Sequence, residues 1–148
     1  GVEAPAPVRT DLAVREIGSE HADAFGAIVG AAFDLTETAW RLFAPLAGRA
    51  GWHLFMTFDG ETPAGTGALF VDGEIGSLDW GSTAPGFRRR GGQSALLAAR
   101  IAQARRLGCR LLFTETGEWV EGDPQHSYHN IQRAGFAEAG LRENWVPV

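Results

Sequence analysis

Residues 83–97 read Thr-Ala-Pro-Gly-Phe-Arg-Arg-Arg-Gly-Gly-Gln-Ser-Ala-Leu-Leu, and the fold turns on how that stretch divides. A strand-like run over residues 77–83 stops short of Pro85. Three arginines and two glycines follow, and then an alanine- and leucine-rich helical pattern begins. Such a strand–loop–helix junction is built to hold an anion. The first turn of a helix carries backbone N–H groups without intrahelical partners, and the helix dipole adds partial positive charge there. Gly91 and Gly92 let a ligand come close to those amides and tolerate unusual backbone angles. Arg88, Arg89 and Arg90 add fixed charge. The expected guest is a phosphate or pyrophosphate.

Downstream, residues 92–107 form a helix whose inner face carries Leu97, Ile101 and Ala104, with Leu96 and Ala99 alongside and Gly108 as its stop. A strand over residues 109–113 follows and ends in Thr-Glu-Thr at 114–116. A strand–helix–strand passage of this length implies a parallel crossover. Cys109 reads as a small packing residue. Residues 117–122 form a loop that can edge an active site. Asp123-Pro124 opens a short helix that ends at Gly135, and residues 136–146 supply two closing strands turning at Gly140.

Upstream, residues 52–58, 65–71 and 74–83 are strand-like runs separated by Asp59-Gly60 and Asp72-Gly73, which are hairpin turn signals. An antiparallel meander therefore leads into the arginine loop. Gly81 marks either a bulge or the close approach of another backbone. Before the meander come a strand over residues 12–17 and a helix capped by Ser19, with Phe25, Ile28, Val29, Ala32 and Phe33 along one face. A second helix, capped by Thr36 and carrying Trp40, Phe43 and Leu46, is kept short by Pro45 and Gly48. Its aromatic residues read as core packing. Trp40, Trp80 and Trp119 are equally open to a shared pocket or to core packing. The organisation expected is one domain over residues 12–148 behind a flexible tail over residues 1–11.

With 148 residues the chain can bury a core without disulfides or metals. Its single cysteine excludes an internal disulfide. No apolar run approaches the roughly 20 residues of a membrane helix, and the small, proline-rich opening has no signal-peptide pattern. No membrane partner is expected, and a cytoplasmic location is. A net charge of −5 argues against nucleic acid as a partner. The chain has no lysine, which rules out a P-loop, and the G-x-G-x-x-G of a dinucleotide fold is absent.

The arginine loop instead resembles the signature V-x-P-x-x-[QR]-x-x-G-x-[GA] of the GNAT superfamily of acyl-coenzyme-A-dependent N-acyltransferases. Thr83, Pro85, Arg88 and Gly91 stand in register, and Gln93 takes the place of a small residue. The resemblance implies an α/β (α+β) fold with a mixed, mostly antiparallel sheet of six to seven strands flanked by about four helices. It implies acetyl-coenzyme A as co-substrate, with no metal. Arg88, Arg89, Arg90, Gly91, Gly92 and Gln93 would wrap its pyrophosphate with their amides, Thr83 and Ser94 would also bind the coenzyme, and its pantetheine arm would pair with the strand ending at Thr83. The string Ser-Tyr-His-Asn-Ile-Gln-Arg-Ala-Gly-Phe at 127–136 resembles the family's second signature. Ser127 and Asn130, one helical turn apart, would face the coenzyme arm. His126 and His129 stand at i, i+3 spacing near Asp123, without a further ligand at a metal-site spacing.

Transfer of an acyl group from a thioester to an amine needs a base for the amine proton and donors for the developing oxyanion. A backbone N–H near residues 81–83 is the source the resemblance implies for the donors. A thiol pKa near about 8.5 makes acid help to the leaving group useful rather than essential. Glu115 is the first candidate for the base and Asp79 the second, with ordered water as the third route. The family's tyrosine acid would fall at Ile131; Tyr128, about one turn earlier, is the candidate in its place. The partner expected is a small-molecule or peptide amine, together with another domain of a longer chain or a second copy in a homodimer. The competing class is a non-catalytic coenzyme-A-binding sensor or partner-contact domain.

Overall fold

A computed structural model describes residues 2–117, 121–122, 124–143 and 145; of Ala39 and Trp40 only the backbone is described. The chain opens with β1 (Ala13–Ile17), α1 (Ala22–Phe33) and the short α2 (Glu37–Trp40). It then lays down β2 (Trp52–Asp59), β3 (Thr62–Asp72) and β4 (Ile75–Thr83), and continues through α3 (Gly92–Arg106), β5 (Leu111–Thr114) and α4 (His126–Arg133). Among the described residues the strands make one sheet in the order β1-β2-β3-β4-β5. All neighbours are antiparallel except β4 and β5, which run parallel on either side of the α3 crossover. The two hairpins turn where Asp-Gly predicts, with Gly60 at φ +60 and Gly73 at φ +57 in the left-handed region.

β2 and β3 are buried on both faces because a helix covers each. On one side Phe25 and Val29 of α1 and Phe43 pack on Leu54, Met56, Phe58 and Ala68. On the other, Leu96, Leu97 and Ile101 of α3 pack on Phe55, Leu69 and Leu78. Burying each such side chain stabilises the fold by about 1.5–3 kcal/mol. Gly65 leaves room for its neighbouring strands: a Cβ there would stand 2.8 Å from the Thr57 hydroxyl of β2 and 2.9 Å from the Ser82 carbonyl of β4. Cys109 sits in the α3-side core, where burial pushes its thiol pKa up.

Local differences from the sequence expectations have local causes. Ser19 does not cap α1; it opens a 3-10 turn (Ser19–His21) in which the Glu20 carboxylate accepts the Gly18 N–H at 2.9 Å. After α2 the chain tightens into a 3-10 stretch (Arg41–Leu46) around Pro45, which has no N–H for an α-helical bond. β5 begins at Leu111 rather than at Cys109, because the Cys109 N–H is taken up by the Ala104 carbonyl at the end of α3.

The two closing strands expected over residues 136–146 do not form among the described residues, so the sheet has five strands rather than six or seven. Alternation divides residues 136–143 into Phe136, Glu138, Gly140, Arg142 and Ala137, Ala139, Leu141, Glu143. The second set is apolar at three of its four positions but stays exposed, with no strand beside it to cover, and most of these residues disfavour strands. Glu138 and Arg142 bond instead to Tyr128 and Glu115.

Candidate active site

β5 ends halfway along β4 and leaves the rest of that edge of β4 open, one arm of a fork. Their last paired residues are Leu78 and Thr114, whose hydroxyl donates to the Leu78 carbonyl at 2.8 Å. Beyond that point β4 keeps β3 on one side and has no strand on the other among the described residues. The register also slips there, since Thr66 faces Ser82 while Ala68 faces Asp79. Trp80 and Gly81 thus oppose the single residue Gly67, which is a β-bulge. Trp80 pays the conformational cost with φ +54; for a bulky residue that region is a true outlier and costs on the order of 1–3 kcal/mol.

Side chains from behind hold the bulge. The Arg100 guanidinium Nη1 donates to the Asp79 carbonyl at 3.1 Å and to the Ala68 carbonyl at 3.2 Å. The Thr66 hydroxyl donates to the Trp80 carbonyl at 2.9 Å, and Gln93 Nε2 donates to the Ser82 carbonyl at 2.6 Å and to the Thr83 hydroxyl at 3.0 Å. In front, the Trp80 ring meets Phe43 and Phe33 edge-on, at centroid distances of 4.6 and 5.9 Å. Of the proposed tryptophan group, Trp80 alone can be placed here, because Trp119 and the Trp40 side chain lie outside the described residues.

The start of α3 lies beside the end of β4. A 3-10 turn (Pro85–Phe87) leads to Gly91, whose φ of +78 admits glycine readily, and Gly92 is buried at the first helical position. Arg88 and Arg89 are exposed and make no ion pair among the described residues. Arg90 is engaged elsewhere: it bonds Asp11 at 3.1 Å and Asp59 at 2.7 Å, and its carbonyl accepts the Thr10 hydroxyl at 2.7 Å. The Arg90 hydrogen bond holds the Asp11 carboxyl below its ordinary pKa. These contacts bring residues 5–9 across α3, with the Arg9 carbonyl against Gly91. A cleft of about 410 Å³ opens between residues 5–9, Ser94, Leu97 and Ala98 of α3, and Asn130, Arg133 and Ala134 of α4.

Of the residues singled out for the coenzyme, Ser94 and Asn130 line this cleft together. Asn130 accepts a hydrogen bond from Arg133 at 2.6 Å. Ser127 is exposed and is not among the lining residues. Thr83 and Gln93 meet each other through their side chains.

Asp79 and Glu115 each follow the last β4–β5 pair, so both stand at the mouth of the fork. Asp79 is half-buried, shares the face of Ala68, and accepts a hydrogen bond from the Ser77 hydroxyl at 3.0 Å. Glu115 is exposed and ion-paired with Arg142 at 2.7 Å. Tyr128 donates to Glu138 at 2.8 Å, and that carboxylate raises the pKa of the phenol. Two residues on a helix span about 200°, so Tyr128 and Asn130 lie on opposite faces of α4. Ile131, at the family's tyrosine position, packs against the α3-side core. His126 and His129 are exposed, and no group of three or more His, Cys, Asp or Glu gathers among the described residues. Asp123 lies outside them.

Sequence reasoning missed Arg100. It is four residues from both Leu96 and Ala104, inside the apolar stripe of α3, and an arginine in that place was the available signal. The Gln93 side chain was also missed: its amide ties α3 to β4, whereas the loop signature draws attention only to the backbone.

A family model described as the Acetyltransferase (GNAT) family matches residues 16–136. No curated protein sequence matches the chain significantly. Among solved structures, the aminoglycoside acetyltransferase AAC(6')-Iy in complex with the bisubstrate analog CoA-S-monomethyl-acetylneamine superposes with a TM-score of 0.77 at 15% identity, covering 94% of this chain and 99% of that one. An aminoglycoside acetyltransferase from an uncultured soil metagenomic sample, in complex with sisomicin, gives 0.73 at 12% identity over 93% and 96% of the two chains. Glucosamine-6-phosphate N-acetyltransferase from Arabidopsis thaliana gives 0.71 at 10% identity over 91% and 97%. At these identities the likeness is one of fold.

Proposed function

The chain belongs to the Acetyltransferase (GNAT) family, and we propose that it transfers an acetyl or other short acyl group from acetyl-coenzyme A to the amine of a small molecule. The observation that carries this reading is the fork: β4 bulges at Trp80 and runs on past the end of β5 beside the glycine-led start of α3. The open side of β4 can pair with an extended amide-bearing arm as with another strand. Ser94 and Asn130, in the cleft between α3 and α4, fit such an arm. The amides of residues 91–93, with Arg88 and Arg89, fit a pyrophosphate. Two relatives of the same fold are described with aminoglycoside-type ligands, which favours a small-molecule amine over a peptide.

The co-substrate supplies a thioester carbonyl and a thiolate leaving group. The chain supplies position, donors and a proton acceptor. The amine nitrogen bonds to the carbonyl carbon as the carbon–sulfur bond breaks, and the amine proton passes to a base. In this reading Asp79 is the base, which its half-buried position beside the bulge on the face of Ala68 supports, whereas Glu115 is held in solvent by Arg142. Backbone N–H groups of residues 81–83 act as donors to the carbonyl oxygen where charge develops. Trp80, Phe33 and Phe43 offer an apolar wall to the body of the acceptor.

The test is free-thiol release from acetyl-coenzyme A over a panel of amines that includes sisomicin, neamine and glucosamine 6-phosphate. Acceptor-dependent release is expected. Coenzyme binding by calorimetry without turnover on any amine would point to a binding module, and absence of coenzyme binding would overturn the assignment altogether.

A further inference from the structure

Arg100 is 2% exposed and has no carboxylate within hydrogen-bonding range among the described residues. Its partners are three backbone carbonyls: Leu96 in its own helix at 3.1 Å, Ala68 in β3 and Asp79 in β4. Burial lowers its pKa to about 10, so it remains a cation at neutral pH. A buried charge hydrogen-bonded only to carbonyl dipoles, with the Asp79 carboxylate acting on it from beyond hydrogen-bonding range, costs several kcal/mol, and an apolar side chain of similar volume would fill the same space more cheaply. Packing alone therefore gives no reason for an arginine here.

The surroundings supply one. The guanidinium lies in a trough left by the two glycines of the bulge. A Cβ on Gly67 would stand 2.8 Å from Arg100 Cζ, and a Cβ on Gly81 would stand 3.7 Å from Nη2. One nitrogen, Nη1, bridges the carbonyls of Ala68 and Asp79, which face each other across the strands at the point where the register slips. The donor is thus fixed at the residue immediately before the strained Trp80. Without it, the strain at Trp80 favours relaxation of β4 toward a regular ladder, and a one-residue change of register turns side chains to the other face.

We infer that Arg100 is a positioning residue for acyl transfer: it locks the Trp80–Gly81 bulge and thereby sets the β4 backbone donors against the thioester carbonyl. This rests on the acetyltransferase reading above. The probe is acetyl-coenzyme A labelled with carbon-13 at the thioester carbonyl, whose stretching frequency falls when a donor polarises it. Infrared difference spectra and calorimetric affinities are compared for the parent protein, Arg100→Met and Gly67→Ala. The second variant keeps the charge and pushes a methyl group into the guanidinium, so it carries the test if Arg100→Met does not fold.

The parent is expected to bind the coenzyme and lower the carbonyl frequency. The variants are expected to bind within about threefold of the parent, less than roughly 0.7 kcal/mol, and to lose most of the frequency shift. A folded variant with lower thermal stability but an unaltered shift would show Arg100 to be structural only. A parent that does not bind acetyl-coenzyme A would overturn the acetyltransferase reading itself, and this inference with it.

Discussion

Asp79 and Glu115 stand at the same level of the fork and differ in what holds them. Glu115 is in solvent against Arg142, whereas Asp79 is half-buried beside the bulge with a single hydroxyl donor. General-base catalysis contributes about 10²- to 10⁴-fold. Asp79→Asn is expected to lower kcat by that order while coenzyme affinity stays near the parent's, and Glu115→Gln is expected to change kcat by less than about threefold, or roughly 0.7 kcal/mol of barrier. The reverse ranking would transfer the role to Glu115, and two small effects would leave proton loss to water. Tyr128, the chain's only tyrosine, allows a second measurement at this scale. Its hydrogen bond to Glu138 favours the neutral phenol, so absorbance titration should show ionisation above the ordinary value near about 10. Glu138→Gln should bring it back toward that value; an unmoved titration would mean that the pair does not persist in solution.

α3 and α4 make the cleft together with residues 5–9, and α3 also reaches back to β4 through Gln93 and Arg100. α4 contributes by presenting Asn130, Arg133 and Ala134 on one side while Ile131 packs toward α3. If Asn130 grips the coenzyme arm, Asn130→Ala should weaken coenzyme A about 3- to 10-fold, equivalent to roughly 0.7–1.4 kcal/mol. The thermal midpoint of the free protein should hardly change, since among the described residues the Asn130 side chain bonds only Arg133, one turn away. Calorimetry and a melting curve decide it: lower stability with normal affinity would make Asn130 a helix-packing residue.

Across the molecule, carboxylates hold the fold both between distant segments and within a single turn. Asp11 is held by Arg90, Glu61 by Arg15, and Glu20 by the Gly18 N–H, and each of the three has its pKa lowered by that leading contact. A depressed folded pKa stabilises the folded state above the unfolded value and loses that contribution as pH falls through the folded one. Stability is therefore expected to hold at neutral pH and to fall progressively below about pH 4, where unfolded Asp and Glu titrate. Asp11→Asn should make the acid limb of a urea-midpoint profile shallower. A limb identical to the parent's would show that the Asp11–Arg90 pair adds nothing to stability, as many exposed pairs do.

Local patterns in the sequence carried much of the architecture. Asp59-Gly60 and Asp72-Gly73 placed the hairpins because left-handed turn residues are a property of the turn itself. The helix after Gly91 was legible from its apolar period, and the crossover to β5 from its length. Through the loop signature the sequence also located the glycine-led start of α3. What it could not settle depended on partners far along the chain. Gly81 pointed to a bulge, but the strained residue is its neighbour Trp80, since the strain is set by Arg100, Thr66 and the register of β3. Three adjacent arginines looked alike until the fold drew Arg90 to Asp11 and Asp59 and left Arg88 and Arg89 exposed. Residues 136–146 looked like two strands at the scale of their length, yet a strand needs a neighbour to pair with, and residues 136–143 find none among the described residues. Periodicity and turn chemistry act over a few residues and can be read in order; ion pairs, register and the burial of a charge are decided by which segments meet.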